Sequence, residues 1–272
     1  MMGGVHGDEI NGVMITRNMI EEKVFEKLNR GTVISVPLLN VFGFINFSRE
    51  VPDGKDINRS FPGTMAGSLA ARVARTLTKK LLPLVDCILD FHTGGSSRYN
   101  YPQIRYSKKD PIAEKLAMAF GAPYTVQKSF IPKSLRKVAA DMGLPTIVYE
   151  AGESVRLDGF SISKGMQGAK QVLQFLGMLY FSDLVRSNKT LLFRKTGWIR
   201  ANFSGIFVWS KQSGHKVTKG EPIGQIKDPF GMKVVNVHAI RDGYIIGHNN
   251  ASVVNQGDAL FHVGYNYESI DI

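Results

Sequence analysis

The 272-residue sequence predicts an α/β fold, with a mostly parallel sheet flanked by helices in residues 1–187 and an all-β segment in residues 188–272. Three observations carry this reading. Apolar, β-branched runs alternate with amphipathic helical stretches through the first two thirds of the chain, the pattern of strands joined by helical crossovers and covered on both faces. Near residue 187 the texture changes to short β-rich runs punctuated by Gly, Asn and Asp-Pro, and no helical period survives to the C-terminus. Hydrophobic residues make up 43% of the chain, enough for one large core or two modest ones.

The elements follow in order. TVISVPLL (32–39) is continuously apolar and β-branched, as a buried parallel strand should be. Leu69, Val73, Leu77 and Leu81 recur four apart and predict an amphipathic helix over 66–82, ended by Pro83. VDCILDF (85–91) reads as a second buried strand. PIAEKLAMAF (111–120) carries Pro at its first helical position and Gly121 just past its end. A short helix near 133–142 precedes the strand TIVYE (146–150), and a longer helix spans 162–181. That helix and the polar SNK after it form the expected joint to the all-β segment. Within this segment, GHKVTKGEPIGQI and RDGYIIGHNNASVVNQGDALFHV echo each other weakly, as two facing hairpin units would. FGMKVVNVHAIRDGYI is similar to the hairpin on which biotinyl and lipoyl domains carry their modified lysine. The residues flanking a true acceptor are absent around Met232-Lys233, so the expectation is architectural, a barrel-sandwich-hybrid-like fold.

Composition narrows the function. Lys and Arg number 34 against 23 Asp and Glu, a formal net charge of +11. The basic residues are dispersed along the chain, densest in RVARTLTKK and SLRKV, where helical apolar spacing marks solvated helix faces. With no nucleic-acid-binding motif beside them, the charge fits attraction of a small anionic substrate rather than nucleic acid. No apolar run approaches the roughly 20 residues of a membrane helix, and no secretory signal opens the chain. The single cysteine, Cys87, lies in an apolar run and excludes an internal disulfide framework, which makes a reducing cytoplasm the expected location. Edge strands in the all-β segment leave room for homo-oligomers.

The chemistry concentrates in four short motifs. His6 and Glu9, in GGVHGDE, place a nitrogen and a carboxylate on one glycine-rich turn. His92, in DFHTGG, follows a strand and can complete a His2Glu set, the ligand composition of hydrolytic zinc sites that keep a position open. His215, His238, His248 and His262 have spacings that fit no metal site. Glu150 ends the strand TIVYE before a glycine turn, where a carboxylate can act as general base on metal-activated water. In DINRSFPG, Asn58 and Arg59 offer an amide and a planar guanidinium fork to a substrate carboxylate. Arg49, in NFSREVPD, can assist them or polarise the scissile carbonyl.

GGVHGDE, DINRSFPG, LDFHTGG and IVYEAGE occur here in the order and spacing of the succinylglutamate desuccinylase/aspartoacylase family, zinc-dependent relatives of the carboxypeptidases. The C-terminal stretch from SGIFVW onward also resembles the β segment of many members, so the resemblance spans nearly the whole chain. It implies one zinc ion per chain on His6, Glu9 and His92, with Glu150 as general base. It also implies a substrate carboxylate on Asn58 and Arg59, Arg49 at the carbonyl and Arg105, in YPQIRY, as a further pocket residue. Members carry a strand ahead of the GxHGDE turn; only Met1 and Met2 precede the glycines here, so that strand is expected to be missing. FPG after Asn-Arg and the β segment favour the deacylase-like branch, which cleaves linear amides of N-acyl amino acids, especially its N-acetyl-diaminobutyrate deacetylases. Two alternatives stand beside this reading: a carboxypeptidase-like enzyme acting on short peptides, and a catalytically inactive binding or scaffold protein.

Overall fold

The computed structural model describes residues 1–181 and 189–272. The domain boundary and the joint expected around residue 187 lie outside the described residues. Helices α1 (Ile10–Glu21), α2 (Val41–Ile45), α3 (Leu69–Thr76), α4 (Pro111–Phe120), α5 (Leu135–Asp141) and α6 (Gly159–Phe175) all precede the gap. Strands β1 (Ile88–Gly94), β2 (Arg98–Tyr106), β3 (Tyr124–Gln127) and β4 (Thr146–Glu153) also precede it. Beyond it come only strands: β5 (Lys189–Arg200), β6 (Gly205–Trp209), β7 (Lys216–Val217), β8 (Pro222–Lys227), β9 (Val234–His238), β10 (Gly243–Asn249), β11 (Val253–Val254) and β12 (Ala259–Asp271).

Local chemistry explains most helix ends. Ser68, Asp110, Ser134 and Asp158 each accept a backbone N–H three residues on and cap α3, α4, α5 and α6. Gly121 ends α4 in the left-handed conformation expected of a C-terminal glycine. The stretch expected as one helix over 66–82 divides into α3, a wide turn over Leu77–Leu81 and a tight turn over Leu82–Leu84 that accommodates Pro83.

The large sheet has the order β1-β4-β2-β3-β5-β12-β10-β7. It is mixed: β1·β4, β2·β3 and β3·β5 are parallel, whereas β2·β4 and the pairings of β12 and β10 are antiparallel. A further antiparallel pairing of β10 with β2 closes the path β2–β3–β5–β12–β10 into a ring, so the all-β segment continues the sheet that carries the N-terminal motifs. A second sheet, β11-β6-β8-β9, packs on the far end of the first. Ile199, Phe207, Ile226, Ile245 and Phe261 fill the space between them.

Helices cover both faces of the N-terminal strands. Ile15 and Met19 of α1, Leu116 and Phe120 of α4 and Val172 of α6 bury Phe91 and Tyr149 on one side. On the other, Ala70 and Ala74 of α3 and Leu135 and Val138 of α5 pack with Ile57, Phe61 and Ile88. Burying each of the Leu, Ile, Val, Met and Phe side chains stabilises the fold by about 1.5–3 kcal/mol.

One expectation needs correction. Residues 32–39 form no continuous strand; only Val36 makes a bridge, to Met2, because Pro37 lacks the N–H a ladder requires. Ahead of His6 stands a single bridging residue rather than a strand. Met2 bridges both Val36 and Asp90, with Met2 N donating to Leu89 O and Phe91 N donating to Met2 O, each at 2.9 Å.

Candidate active site

The turn bearing His6 is held from below by backbone contact. A Cβ on Gly7 would lie 2.0 Å from the carbonyl carbon of Gly43, so only glycine permits this approach. Asn40 fixes the other side: its Oδ1 accepts from Gly43 N at 2.9 Å, and its Nδ2 donates to Arg49 O and Glu50 O. Glu9 sits at the N-cap of α1, where free backbone N–H groups favour a negative side chain. His92 lies within β1 rather than in the turn after it, and Glu150 lies within β4 directly opposite, in parallel register.

These placements bring His6, Glu9 and His92 together, with exposures of 3%, 2% and 5%. Glu9 Oε1 lies 2.8 Å from His6 Nδ1, Glu9 Oε2 lies 2.8 Å from His92 Nδ1, and the two Nδ1 atoms are 3.2 Å apart. Thr93 N also donates to Glu9 Oε2, at 3.1 Å. Behind the ligand atoms, His92 Nε2 bonds Asp90 Oδ2 at 2.9 Å and His6 Nε2 lies 3.3 Å from Asp56 Oδ1. Carboxylates behind histidines in this way fix the ring orientation and raise ligand basicity.

The cluster is built to hold positive charge. Burial opposes the charged form of both histidines, but Glu9 and Asp56 around His6, and Asp90 and Glu9 around His92, leave both pKa values raised, that of His92 strongly. Burial likewise opposes the Glu9 carboxylate, yet the two histidines hold its pKa well below the usual range. Two nitrogens and a carboxylate converging on one point, each oriented by a second group, fit a zinc ion. Among the described residues this is the sole His/Cys/Asp/Glu cluster whose donor atoms converge in this way.

A cleft of about 640 Å³ opens over the cluster and is lined by all eight residues singled out in the sequence: His6, Glu9, Arg49, Asn58, Arg59, His92, Arg105 and Glu150. Arg49 is braced by Asp56, which accepts from Nε at 3.0 Å and Nη2 at 2.9 Å, and its Nη1 reaches Glu9 Oε1 at 3.2 Å. Asn58 Oδ1 accepts from Leu135 N at the start of α5, and Arg59 is exposed at the rim. Arg105 does not stand free toward the cleft: its Nη1 donates to Glu150 Oε1 at 2.8 Å, while Asn100 Nδ2 donates to Glu150 Oε2 at 2.9 Å.

Other lining residues escaped the sequence reading. Asp90 was legible in principle, because residues two apart in a strand share a face and the motif reads D-F-H. Lys128 and Arg136 had no such signal. Burial first, then the charge of Arg105, lowers Lys128 to about 8 and Arg136 to about 10, and Arg136 Nη1 is buried with no hydrogen-bond partner. The all-β segment adds Trp198 and His262, opposite each other on β5 and β12, their rings stacked 4.3 Å apart. Burial, then Lys128 and Arg105, push His262 well below the usual histidine range, so its ring is neutral.

Fold and site together define a hydrolase with a carboxypeptidase-like mixed α/β fold. The chain belongs to the succinylglutamate desuccinylase/aspartoacylase family, whose catalytic-domain model matches residues 1–176. It is 26% identical to an N-alpha-acetyl-L-2,4-diaminobutyric acid deacetylase of Halomonas elongata, covering 99% of this chain and 82% of that one. Among solved structures, the product-bound ectoine utilization protein EutE (DoeB) of Ruegeria pomeroyi superposes with a TM-score of 0.88 at 25% identity, over 98% of this chain and 84% of that one. A succinylglutamate desuccinylase/aspartoacylase of Rhodobacter sphaeroides gives 0.85 at 26% identity, over 97% and 85%. No helix among the described residues is long and apolar enough to cross a membrane.

Proposed function

We propose that the protein is a zinc-dependent amidohydrolase that cleaves the amide bond of an N-acyl amino acid. The observation that carries this reading is the convergence of His6, Glu9 and His92 with Glu150 in register beside His92. The relatives support the substrate class, since the Halomonas protein is a deacetylase of an N-acetylated amino acid.

His6, Glu9 and His92 would hold the ion, which when bound polarises the amide carbonyl and acidifies water. Glu150 takes a proton from the attacking water and delivers it to the departing amine. Arg49, held by Asp56 at the edge of the cluster, stabilises the charge developing on the carbonyl oxygen. Asn58 and Arg59 hold the substrate carboxylate at the rim. Arg136, with its unpartnered Nη1, and Lys128 add to the positive field that draws an anionic substrate into the cleft.

The test is a panel of N-acetyl and N-succinyl amino acids run beside short peptides, on protein whose zinc content has been measured. The expected result is one bound zinc and release of free amino acid from at least one N-acyl substrate. Release of C-terminal residues from the peptides alone would transfer the activity to the carboxypeptidase class. Fully zinc-loaded protein inert on every compound would overturn the reading.

A further inference from the structure

Glu150 is gripped at both oxygens, and both grips lead back to β10 of the all-β segment. The first runs through Gln103, which is fully buried and lies opposite Glu150 in the β2·β4 pair. Gln103 Nε2 donates to Ile246 O at 2.9 Å and to Tyr101 O at 3.3 Å. These two carbonyls settle the orientation of the amide, because the reversed amide would set its oxygen against both of them. Oε1 is thereby turned to Arg105, accepting from Nε at 3.3 Å and Nη2 at 3.2 Å. Arg105 in turn presents Nη1 to Glu150 Oε1 at 2.8 Å.

The second grip runs through Asn100, whose Nδ2 holds Glu150 Oε2. Asn100 pairs with Gly247 of β10, and a Cβ on Gly247 would come within 2.9 Å of Asn100 Oδ1. One strand therefore backs both grips, accepting from Gln103 at Ile246 and lying against Asn100 at Gly247.

The geometry points to Gln103 as a positioning residue for Glu150, with the β10 backbone at Ile246 and Gly247 setting the direction in which that carboxylate faces the cleft. The inference rests on the reading of Glu150 as general base. It gives the all-β segment a part in the chemistry: closure of the ring at β2·β10 sets the geometry of a group on β4. Gln103 touches neither substrate nor metal and acts through Arg105. A buried amide with a purely structural role would, when replaced, lower stability and leave turnover alone.

The variant Gln103→Met keeps length and volume while removing every hydrogen bond of the amide. On the N-acyl amino acid that the panel identifies as fastest, kcat is expected to fall about tenfold with KM within about twofold, because the base is misdirected while binding is untouched. Gly247→Ala, which pushes on Asn100 Oδ1 and leaves Gln103 and Arg105 unaltered, lowers kcat by about threefold through Asn100. The double variant Gln103→Met/Arg105→Met loses no more than Arg105→Met alone, since the two residues act in series. Unchanged kcat in Gln103→Met, beside an inactive Glu150→Gln, would overturn the inference and leave the assignment of the base intact. An active Glu150→Gln would remove that assignment itself. If Gln103→Met does not fold, Gly247→Ala decides for the β10 backbone: reduced kcat at constant KM supports its hold on Glu150, and wild-type kcat rejects it.

Discussion

His92 and Glu150 stand opposite each other in the parallel β1·β4 pair, so the last donor of the cluster and the carboxylate assigned as base share one hydrogen-bonded register. The spacing between them is set by the ladder rather than by a loop. Replacing Glu150 by Gln keeps the shape and the partners Arg105 and Asn100 but removes the basic oxygen. Turnover is then expected to fall about a thousandfold. Zinc content, measured on the same preparation, should match the wild type, because Glu150 belongs to no part of the donor cluster. A variant that loses zinc together with activity would assign Glu150 to the metal instead.

Asp90 shares a strand face with His92 and bonds its Nε2, which leaves Nδ1 pointing at Glu9 and His6. Asp90→Asn should therefore weaken zinc binding about 10- to 100-fold while the fold persists. Competition with a chromophoric chelator reads this directly. Wild-type affinity would mean that the orientation of His92 comes from packing alone.

The charge balance of the cluster predicts a pH dependence in metal-free protein. The His92 pKa is raised well above its ordinary 6.5, so its contribution to stability is complete below that value and is lost as pH rises through the folded value. Glu9 is depressed well below its ordinary 4.5, so its contribution holds above that value and is lost as pH falls. The melting temperature of metal-free protein should decline as pH rises above the ordinary histidine value of 6.5 and His92 gives up its proton. Zinc displaces the same protons, so the loaded protein should lose this decline and bind the ion more tightly as pH rises. Scanning fluorimetry with and without zinc checks both, and a flat metal-free profile would show that the histidines are not charged partners of Glu9.

Legibility in the sequence followed the range of the interactions. Asp110-Pro111 and Gly121 bracket α4 within a dozen residues, and the turn and strand-end motifs of His6, Glu9, His92 and Glu150 are equally local. Helix α1 went unread because Asn11, Gly12 and Thr16 share its buried face and dilute the apolar stripe. Strand β2 contains Arg98, Asn100, Gln103 and Arg105, polar residues that become intelligible only once β10 and β4 lie beside them. The same holds for Trp198 and His262, whose approach to the cleft depends on a sheet that joins β2 to β10, residues more than a hundred positions apart. The grip on Glu150 has no local signature at all, since Gln103 and Ile246 are 143 positions apart.

Gly7 offers the sharpest test of how the donor turn is supported. Its missing side chain lets the backbone of residues 6–8 rest on Gly43 and Phe44, and a methyl there would meet Gly43 C at 2.0 Å and Phe44 N at 2.1 Å. Both obstacles are backbone atoms, so no rotamer change relieves them. Either the His6 turn or the segment capped by Asn40 must move, and Arg49 hangs from that segment through its carbonyl. Gly7→Ala should destabilise the protein by about 2–3 kcal/mol. It should also loosen zinc binding, since His6 is displaced from His92 and Glu9. A loss of stability with zinc affinity intact would place the yielding on the Asn40 side, and Arg49 would then be the group that moves. That outcome would appear as reduced kcat in zinc-replete protein, so calorimetry, metal affinity and turnover on one variant separate the two supports of the site.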